Sequence, residues 1–404
     1  MTKQDYTNYI VARIEDICKK YKRRDAGSPS ARAAADDMAE EAANYADTVI
    51  KQNFNVNPRC FMGSILLFAI SIVLSAISSL LGLLLNVRIL FFVGDILIFI
   101  GFGIVIAEFI LYLEFLELFS KKRKGRNVFA VRKARGETKR RIIIGGHLDA
   151  AYEMPVMQHG NVVWLYIVFG MAILGPVIGF IFNNIMLLDF LPHEVHLVFV
   201  IIELVCVLIA SPLLFFVDFH TIVDGANDNL TACFIGLSLL KEMADNDIRY
   251  ENTDVCCLIT DGEEAGLRGA SAFAKENIDL LMEKNTVFLA LDTIHEKEEL
   301  RIYGRGINFT EQNADEVCDL LYFSGMKHGL DLPYAEFYPG AVDAEAFSRE
   351  GVKAAGICGV RHTPASYYHS RMDTYTNLNP ECIELVRDIV KTAIEMFDGA
   401  GKVF

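Results

Sequence analysis

Positive charge is scarce in this 404-residue sequence. Its 38 Lys and Arg face 52 Asp and Glu, and the net charge of −14 argues against nucleic-acid binding. Paired cysteine spacing is missing as well. The nine Cys are scattered, none forms a CxxC, and Cys256-Cys257 is the only close pair. No disulfide framework is therefore expected, and most of these residues read as buried free thiols of a reducing compartment. A leader is also lacking: Met1-Thr2-Lys3-Gln4-Asp5 is polar with no apolar run behind it, so no signal peptide is expected.

Hydrophobicity, by contrast, is abundant. Hydrophobic residues make up 52% and the mean hydropathy is +0.30, both high for a soluble enzyme. Phe61 to about Leu85 is an uncharged apolar run of 25 residues, long enough to span a bilayer. After the short turn Asn86-Val87-Arg88, a second run extends from Ile89 to about Leu116, interrupted by Asp95, Glu108 and Glu114. Val162–Phe182 and Val195–Val217 are two more runs, of 21 and 23 residues. The four runs predict two transmembrane hairpins, at 60–118 and 161–218, with no evident repeat between them. Glu203 falls in the fourth run, where a carboxylate is expected to hydrogen-bond to a neighbouring helix.

Both hairpins leave and return on one side. That side carries Lys51, Arg59, Lys121, Lys122, Arg123, Lys124 and Arg126, whereas the opposite loops carry Arg88 only. The positive-inside rule predicts that the rest of the chain is cytoplasmic, with Lys121–Arg126 at the membrane edge. The sequons Asn229-Leu230-Thr231 and Asn308-Phe309-Thr310 would then be unused.

The remaining segments, 1–59, 119–160 and 219–404, alternate helix and strand. Tyr9-Ile10-Val11 with Ile14, Ile17 and Cys18 marks an amphipathic helix, which Gly27-Ser28-Pro29 breaks. Ala31 to Val49 reads as helical and Asn53–Val56 as an edge strand. Strands are expected at 127–131, 141–144, 255–259, 287–291 and 354–360, and helices at 232–243, 311–327 and 380–397. This pattern predicts an α/β fold, a mixed β-sheet sandwiched by helices, beside the four transmembrane helices.

The chain is organised around Thr260-Asp261-Gly262-Glu263-Glu264-Ala265-Gly266-Leu267-Arg268-Gly269, which follows the apolar strand Val255–Ile259. Two adjacent carboxylates thus leave the C-terminal end of a strand, where open α/β sheets build their sites. A functionless acidic turn would carry the same pair, so the other segments matter. Ile142 to Asp149 is an apolar strand ending in His147-Leu148-Asp149. Asp224 to Asn229 is an acidic loop ahead of an apolar helix. Val287 to Asp292 is a strand with an acid at its tip, and Tyr367 to Thr374 adds His369 and Asp373. Two His and three carboxylates form a nitrogen and oxygen set suited to Zn²⁺, and a shared carboxylate can bridge two ions roughly 3.5–4 Å apart.

These five segments, in this order, resemble the M28 family of zinc-dependent exopeptidases over roughly residues 5–57, 126–153 and 222–400. The resemblance implies two Zn²⁺, one held by His147 and Asp292, the other by Glu264 and His369, with Asp228 bridging. It implies Glu263 as the general base and Tyr368 as a donor to the tetrahedral oxyanion. Asp149 would support His147 from behind, and Asp373 would either support a ligand or cap a helix. His295 and His362 are taken as non-ligands.

The sequence departs from the family in two places. Eighty residues, including a hairpin, separate His147 from Asp228, where a short loop is usual; such an insertion is tolerable if its ends lie close. Within Pro339–Phe347, Asp343 keeps a family Asp, but Val342 and Ala344 stand where Ser and His would be. The implied activity is that of a membrane-anchored aminopeptidase acting on peptides, apolar or membrane-associated ones in particular because the site should sit near the bilayer. A glutaminyl-cyclase-like zinc acyltransferase, an inactive scaffold or receptor of the same fold, and a transporter are the alternatives.

Overall fold

The computed structural model describes residues 2–158, 162–306, 311–336, 341–361 and 366–399. It opens with α1 (Lys3–Lys20) and α2 (Pro29–Ala42). Thr2 and Asp5 cap α1 reciprocally, and Ser28 accepts from Ala31 N just ahead of Pro29, so both starts follow N-cap chemistry. The helix expected through Val49 ends at Ala42. The β-branched Thr48, Val49 and Ile50 instead begin the edge strand β1 (Thr48–Val56).

Next come β2 (Arg123–Arg132), β3 (Arg140–His147), β6 (Thr253–Thr260), β7 (Asn285–Ile294), β8 (Leu300–Arg305), β9 (Tyr334–Glu336) and β10 (Lys353–Gly359) of the same sheet. Its order is β1-β2-β6-β3-β7-β10-β8-β9. The central β6, β3, β7 and β10 run parallel, whereas β1, β2 and β8 are antiparallel to their inner neighbours. Parallel strands must be covered on both faces, which explains why β6 is buried throughout. One face is covered by α1, α2, α8 (Thr231–Asp245), α11 (Asp315–Lys327) and α13 (Pro380–Gly399). The other is covered by α9 (Arg268–Glu276), α10 (Ile278–Met282) and α12 (Asp343–Arg349), together with Phe61 and Tyr112. The helix expected from Glu311 starts at Asp315, where two acids enter its first turn.

Four of the six residues of the basic cluster expected at the membrane edge are sheet. Arg123–Arg126 pair with Asn53–Val56, and Arg123 and Arg126 bind Asp25 and Asp36. All nine Cys are buried and free.

The apolar runs form α3 (Cys60–Leu85), α4 (Ile89–Val105, continued by a π turn to Ile110), α6 (Val162–Leu188) and α7 (His193–Ala210, continued by a 3₁₀ turn to Phe215). At 26, 22, 27 and 23 residues they are long and apolar enough to cross a membrane; the shortest, at 1.5 Å per residue, spans about 33 Å. The second run stops at Ile110, short of Leu116, because the chain turns there to bring Glu108 and Glu117 onto Arg268 of α9. Glu203 accepts from Ser79 Oγ of α3 at 3.2 Å, as expected of an acid facing another helix. A short helix, α5 (Pro155–Gln158), precedes α6. The two ends of this second insertion are joined by a ribbon of β4 (Tyr152–Glu153) and β5 (Asp218–Ile222), so the 80 residues return to their starting point.

Candidate metal centre

The parallel strands end along one edge, and their tips deliver the predicted side chains together. His147 ends β3, Asp292 lies near the end of β7, and the loop after β6 carries Glu263 and Glu264. Asp228 lies in the loop between β5 and α8. Gly225 makes that loop possible. Its φ is +57°, and a Cβ there would lie 2.8 Å from Asp228 O. Gly146 lets α8 press on β3, because its Cβ would stand 2.3 Å from the Ala232 Cβ. His369 arrives on the loop after β10 in a left-handed conformation (φ +49°) that a non-glycine residue rarely adopts. Its carbonyl holds that turn by accepting from Met154 N at 2.9 Å and Gln158 Nε2 at 3.4 Å.

Around Asp228 the distances form two clusters. Asp228 Oδ1 is 3.2 Å from His147 Nε2, which is also 3.9 Å from Asp292 Oδ2. Asp228 Oδ2 is 3.0 Å from His369 Nε2, which is 3.2 Å from Glu264 Oε1. The triads His147/Asp228/Asp292 and Asp228/Glu264/His369 each have ligand atoms within 4.8 Å, and they share Asp228. Glu263 Oε2 stands 3.7 Å from His147 Nε2.

The residues fit a pair of cations. His147 Nε2, Asp228 Oδ2 and Glu264 Oε1 are buried without a hydrogen-bond partner among the described residues, the usual sign of an unmet polar need. Donors 2.0–2.1 Å from one tetrahedral ion stand roughly 3.3 Å apart, close to most of the spacings here. The electrostatics agree. Burial pushes Asp292 up to about 8, with the Asp228 charge adding to the effect. Burial raises Glu263 well above the carboxylate range. Burial pulls His369 down, but the charges of Glu264 and Asp228 outweigh it and lift it to about 10. The cluster thus holds protons where cations would otherwise balance its charge.

Supporting contacts fix the ligands. Asp149 accepts from the backbone N–H of Glu263 and of Glu264 at 3.2 Å each, and its carboxylate lies 3.6 Å from His147 Nδ1. Asp373 does not cap a helix. It accepts from Asn227 N at 2.8 Å, Asn227 Nδ2 at 2.9 Å and Asp228 N at 3.2 Å, clamping the Asp228 loop. Tyr368 stacks on His369 with centroids 3.9 Å apart. His295 stacks on Tyr367 and faces Glu296, outside the ligand groups. His362, Pro339-Gly340 and the sequon Asn308–Thr310 lie outside the described residues. Asn229 of the other sequon is buried and donates to Leu291 O at 2.8 Å.

Three residues gain a role that sequence reasoning did not assign. Asp261 accepts from Gly27 N and Arg126 N at 3.1 and 3.0 Å and anchors the Glu263 loop to the N-terminal segment. Asp343 accepts from Thr260 Oγ1 at 2.6 Å at the root of the same loop. Met154 Sδ lies 3.2 Å from His369 Nδ1. Asp261 and Thr260 sit within the organising stretch, which could have drawn attention to them; nothing in the sequence pointed to Met154.

A cavity of about 580 Å³ opens beside Glu263, Glu264, Tyr368 and His369.

Residues 215–394 match the profile of Peptidase family M28. Among solved structures, the aminopeptidase from Aneurinibacillus sp. strain AM-1 is similar at 16% identity and a TM-score of 0.56, over 96% of this chain and 93% of that one. BSAP, a zinc aminopeptidase from Bacillus subtilis, is similar at 11% identity and 0.57, over 97% and 95%. Acidobacteriales bacterium glutaminyl cyclase is similar at 13% identity and 0.55, over 98% and 96%. At these identities the likeness is one of fold. No curated protein sequence matches.

Proposed function

We propose that this chain, whose residues 215–394 match Peptidase family M28, is a membrane-anchored dizinc hydrolase of peptide bonds, an aminopeptidase removing N-terminal residues. The observation that carries the reading is the pair of ligand triads meeting at Asp228. His147 and Asp292 would hold one zinc, Glu264 and His369 the other, and Asp228 both. Bound zinc would lower the pKa of a water and polarise the scissile carbonyl.

The chain's own residues supply the rest. Glu263 stands 3.7 Å from His147 Nε2 at the wall of the cavity, and burial raises its proton affinity, which suits a group that takes a proton from the attacking water and passes it to the departing amine. Tyr368 borders the same cavity, and its hydroxyl would donate to the oxygen on which negative charge develops. Asp149 and Asp373 hold the loops of Glu263, Glu264 and Asp228 and keep the ligands in place before metal arrives.

A second reading has one observation in its favour: glutaminyl cyclases share this fold to the same degree as the aminopeptidases. A cyclase-like acyl transfer would use one zinc. The second triad favours hydrolysis. The four apolar helices support membrane anchoring, and the distribution of Lys and Arg supports a cytoplasmic catalytic domain.

The test is metal content and peptidase activity of detergent-purified protein beside Glu263→Gln. Two zinc ions per chain, with N-terminal residues released by wild type and not by the variant, is the expected result. One zinc with cyclisation of N-terminal glutamine would establish the second reading. No bound metal would overturn both.

A further inference from the structure

The cavity at the metal centre does not end in the catalytic domain. From Glu263, Glu264 and His369 it runs between the membrane helices, past Phe61 and Ile65 of α3, Phe102 of α4, and Leu165 and Ala172 of α6. Ile173, at its far reach, lies 11 residues along α6 from Val162, or about 16 Å at 1.5 Å per residue. Every lining side chain from α3, α4 and α6 is aliphatic, aromatic or a thioether, apart from the hydroxyl of Tyr166, among the described residues.

One wall is open. Toward the far ends of α4 and α6 the helices are locked. Asn183 and Asn184 donate to Asp95 at 3.1 and 2.9 Å, and Phe99 meets Phe180 edge-on at 5.4 Å. Toward the catalytic domain the cavity lies between them. Its lining residues Ile106 of the α4 extension and Tyr166 and Ile173 of α6 are 45%, 61% and 57% exposed, so that wall is not sealed. In a membrane, lipid would meet the helices there.

Polarity decides what fits in this cavity of about 580 Å³. An extended peptide is narrow enough but would bring backbone N–H and C=O groups between apolar walls with almost nothing to pair them. A hydrocarbon chain has no such groups. We propose that the substrate of this centre is an amide carrying a single long hydrocarbon chain next to the scissile bond, which enters from the bilayer between α4 and α6. This rests on the hydrolase reading above. The reaction remains hydrolysis: the C–N bond breaks, water oxygen bonds to the acyl carbon, and Glu263 moves a water proton to the amine. The products are a carboxylate and an ammonium group, one of which keeps the chain.

The experiment uses the zinc-loaded full chain in lipid nanodiscs with two homologous series, leucine n-alkylamides and N-acyl-leucines, from two to about sixteen carbons, and with the dipeptide Leu-Gly. In one series kcat/KM, referred to aqueous substrate, rises about fourfold per methylene and then levels off. Partition into the bilayer would produce a similar rise without the cavity, so the length at which it levels off is the diagnostic. Ala172→Phe, and Ile65→Trp from the opposite wall, fill the cavity and shorten that length while short amides are still cleaved. If one variant fails to fold, the other supplies the same readout. A flat response in both series, or the same levelling length in wild type and folded variants, overturns the proposal while Leu-Gly hydrolysis leaves the peptidase reading standing. Cleavage of no compound, Leu-Gly included, would instead remove the hydrolase reading.

Discussion

Arg268 ties the first apolar hairpin to the segment that follows Glu263 and Glu264, and its replacement should be severe. Its side chain is 3% exposed; Nε is 2.8 Å from Glu117 Oε1 and Nη2 is 3.1 Å from Glu108 Oε2, both carboxylates fully buried. It also donates to the carbonyls of Tyr112 and Leu113 at 2.6 and 3.1 Å. Arg268→Met strands these acceptors. Breaking a buried ion pair in this way destabilises by about 3–5 kcal/mol. Lys122 lies 3.5 Å from Glu117 Oε2 and compensates one carboxylate in part, so the lower end, about 3 kcal/mol, applies. At roughly 2 °C per kcal/mol for a long chain, thermal unfolding in detergent should shift down by about 6 °C. The triple variant Arg268→Met/Glu108→Met/Glu117→Met removes the charges along with the Arg and should recover most of the loss, because buried triads are commonly replaceable by apolar groups. A single variant melting within about 1 °C of wild type would refute the argument, as would a triple variant no more stable than the single.

Three other outcomes follow from the geometry. Asp149→Asn keeps one acceptor for the Glu263 and Glu264 N–H groups but turns an amide donor against the other; zinc affinity by chelator competition should fall about 10–100-fold, and an unchanged affinity would remove Asp149 from the support of the site. His369 and Asp292, raised to about 10 and about 8, hold protons near neutral pH that must leave before they can ligate. Zinc affinity should therefore weaken as pH falls, with proton release visible by calorimetry in buffers of different ionisation heat; no release at pH 7 contradicts this. The Arg249 hydrogen bonds hold Asp47 at about 2, below its ordinary 3.8. A depressed carboxylate stabilises the fold above its unfolded pKa, and that contribution is lost as pH falls from about 4 to about 2. Asp47→Asn should cost about 1 kcal/mol at neutral pH after solvent screening and nothing near pH 2; equal losses at both would assign the effect to packing.

Whatever depended on local chemistry was legible in the sequence. Strand-end positions announced His147, Asp292 and Glu264 because apolar runs stop abruptly at a charged residue, and a parallel sheet aligns such stops along one edge. The four long apolar helices were legible because long uncharged apolar runs stand out in the sequence. Misreadings arose where a distant partner decided the outcome. Ala43–Val49 resembled helix until β2 offered Thr48–Ile50 a strand to pair with. That Lys121–Arg126 runs into a strand, with two of its Arg bound by Asp25 and Asp36, was hidden for the same reason. Glu108 read as an interruption of an apolar span, but it marks where the helix stops, because its partner lies 160 residues away at the start of α9. The same limit hid the cavity. Met154, Leu165 and Glu263 come from three separated segments, and no periodicity in any of them shows that they face one space. That space exists because the ribbon of β4 and β5 returns the second hairpin beside the first. An insertion that could merely have anchored the domain thereby becomes a wall of the cavity at the candidate metal centre.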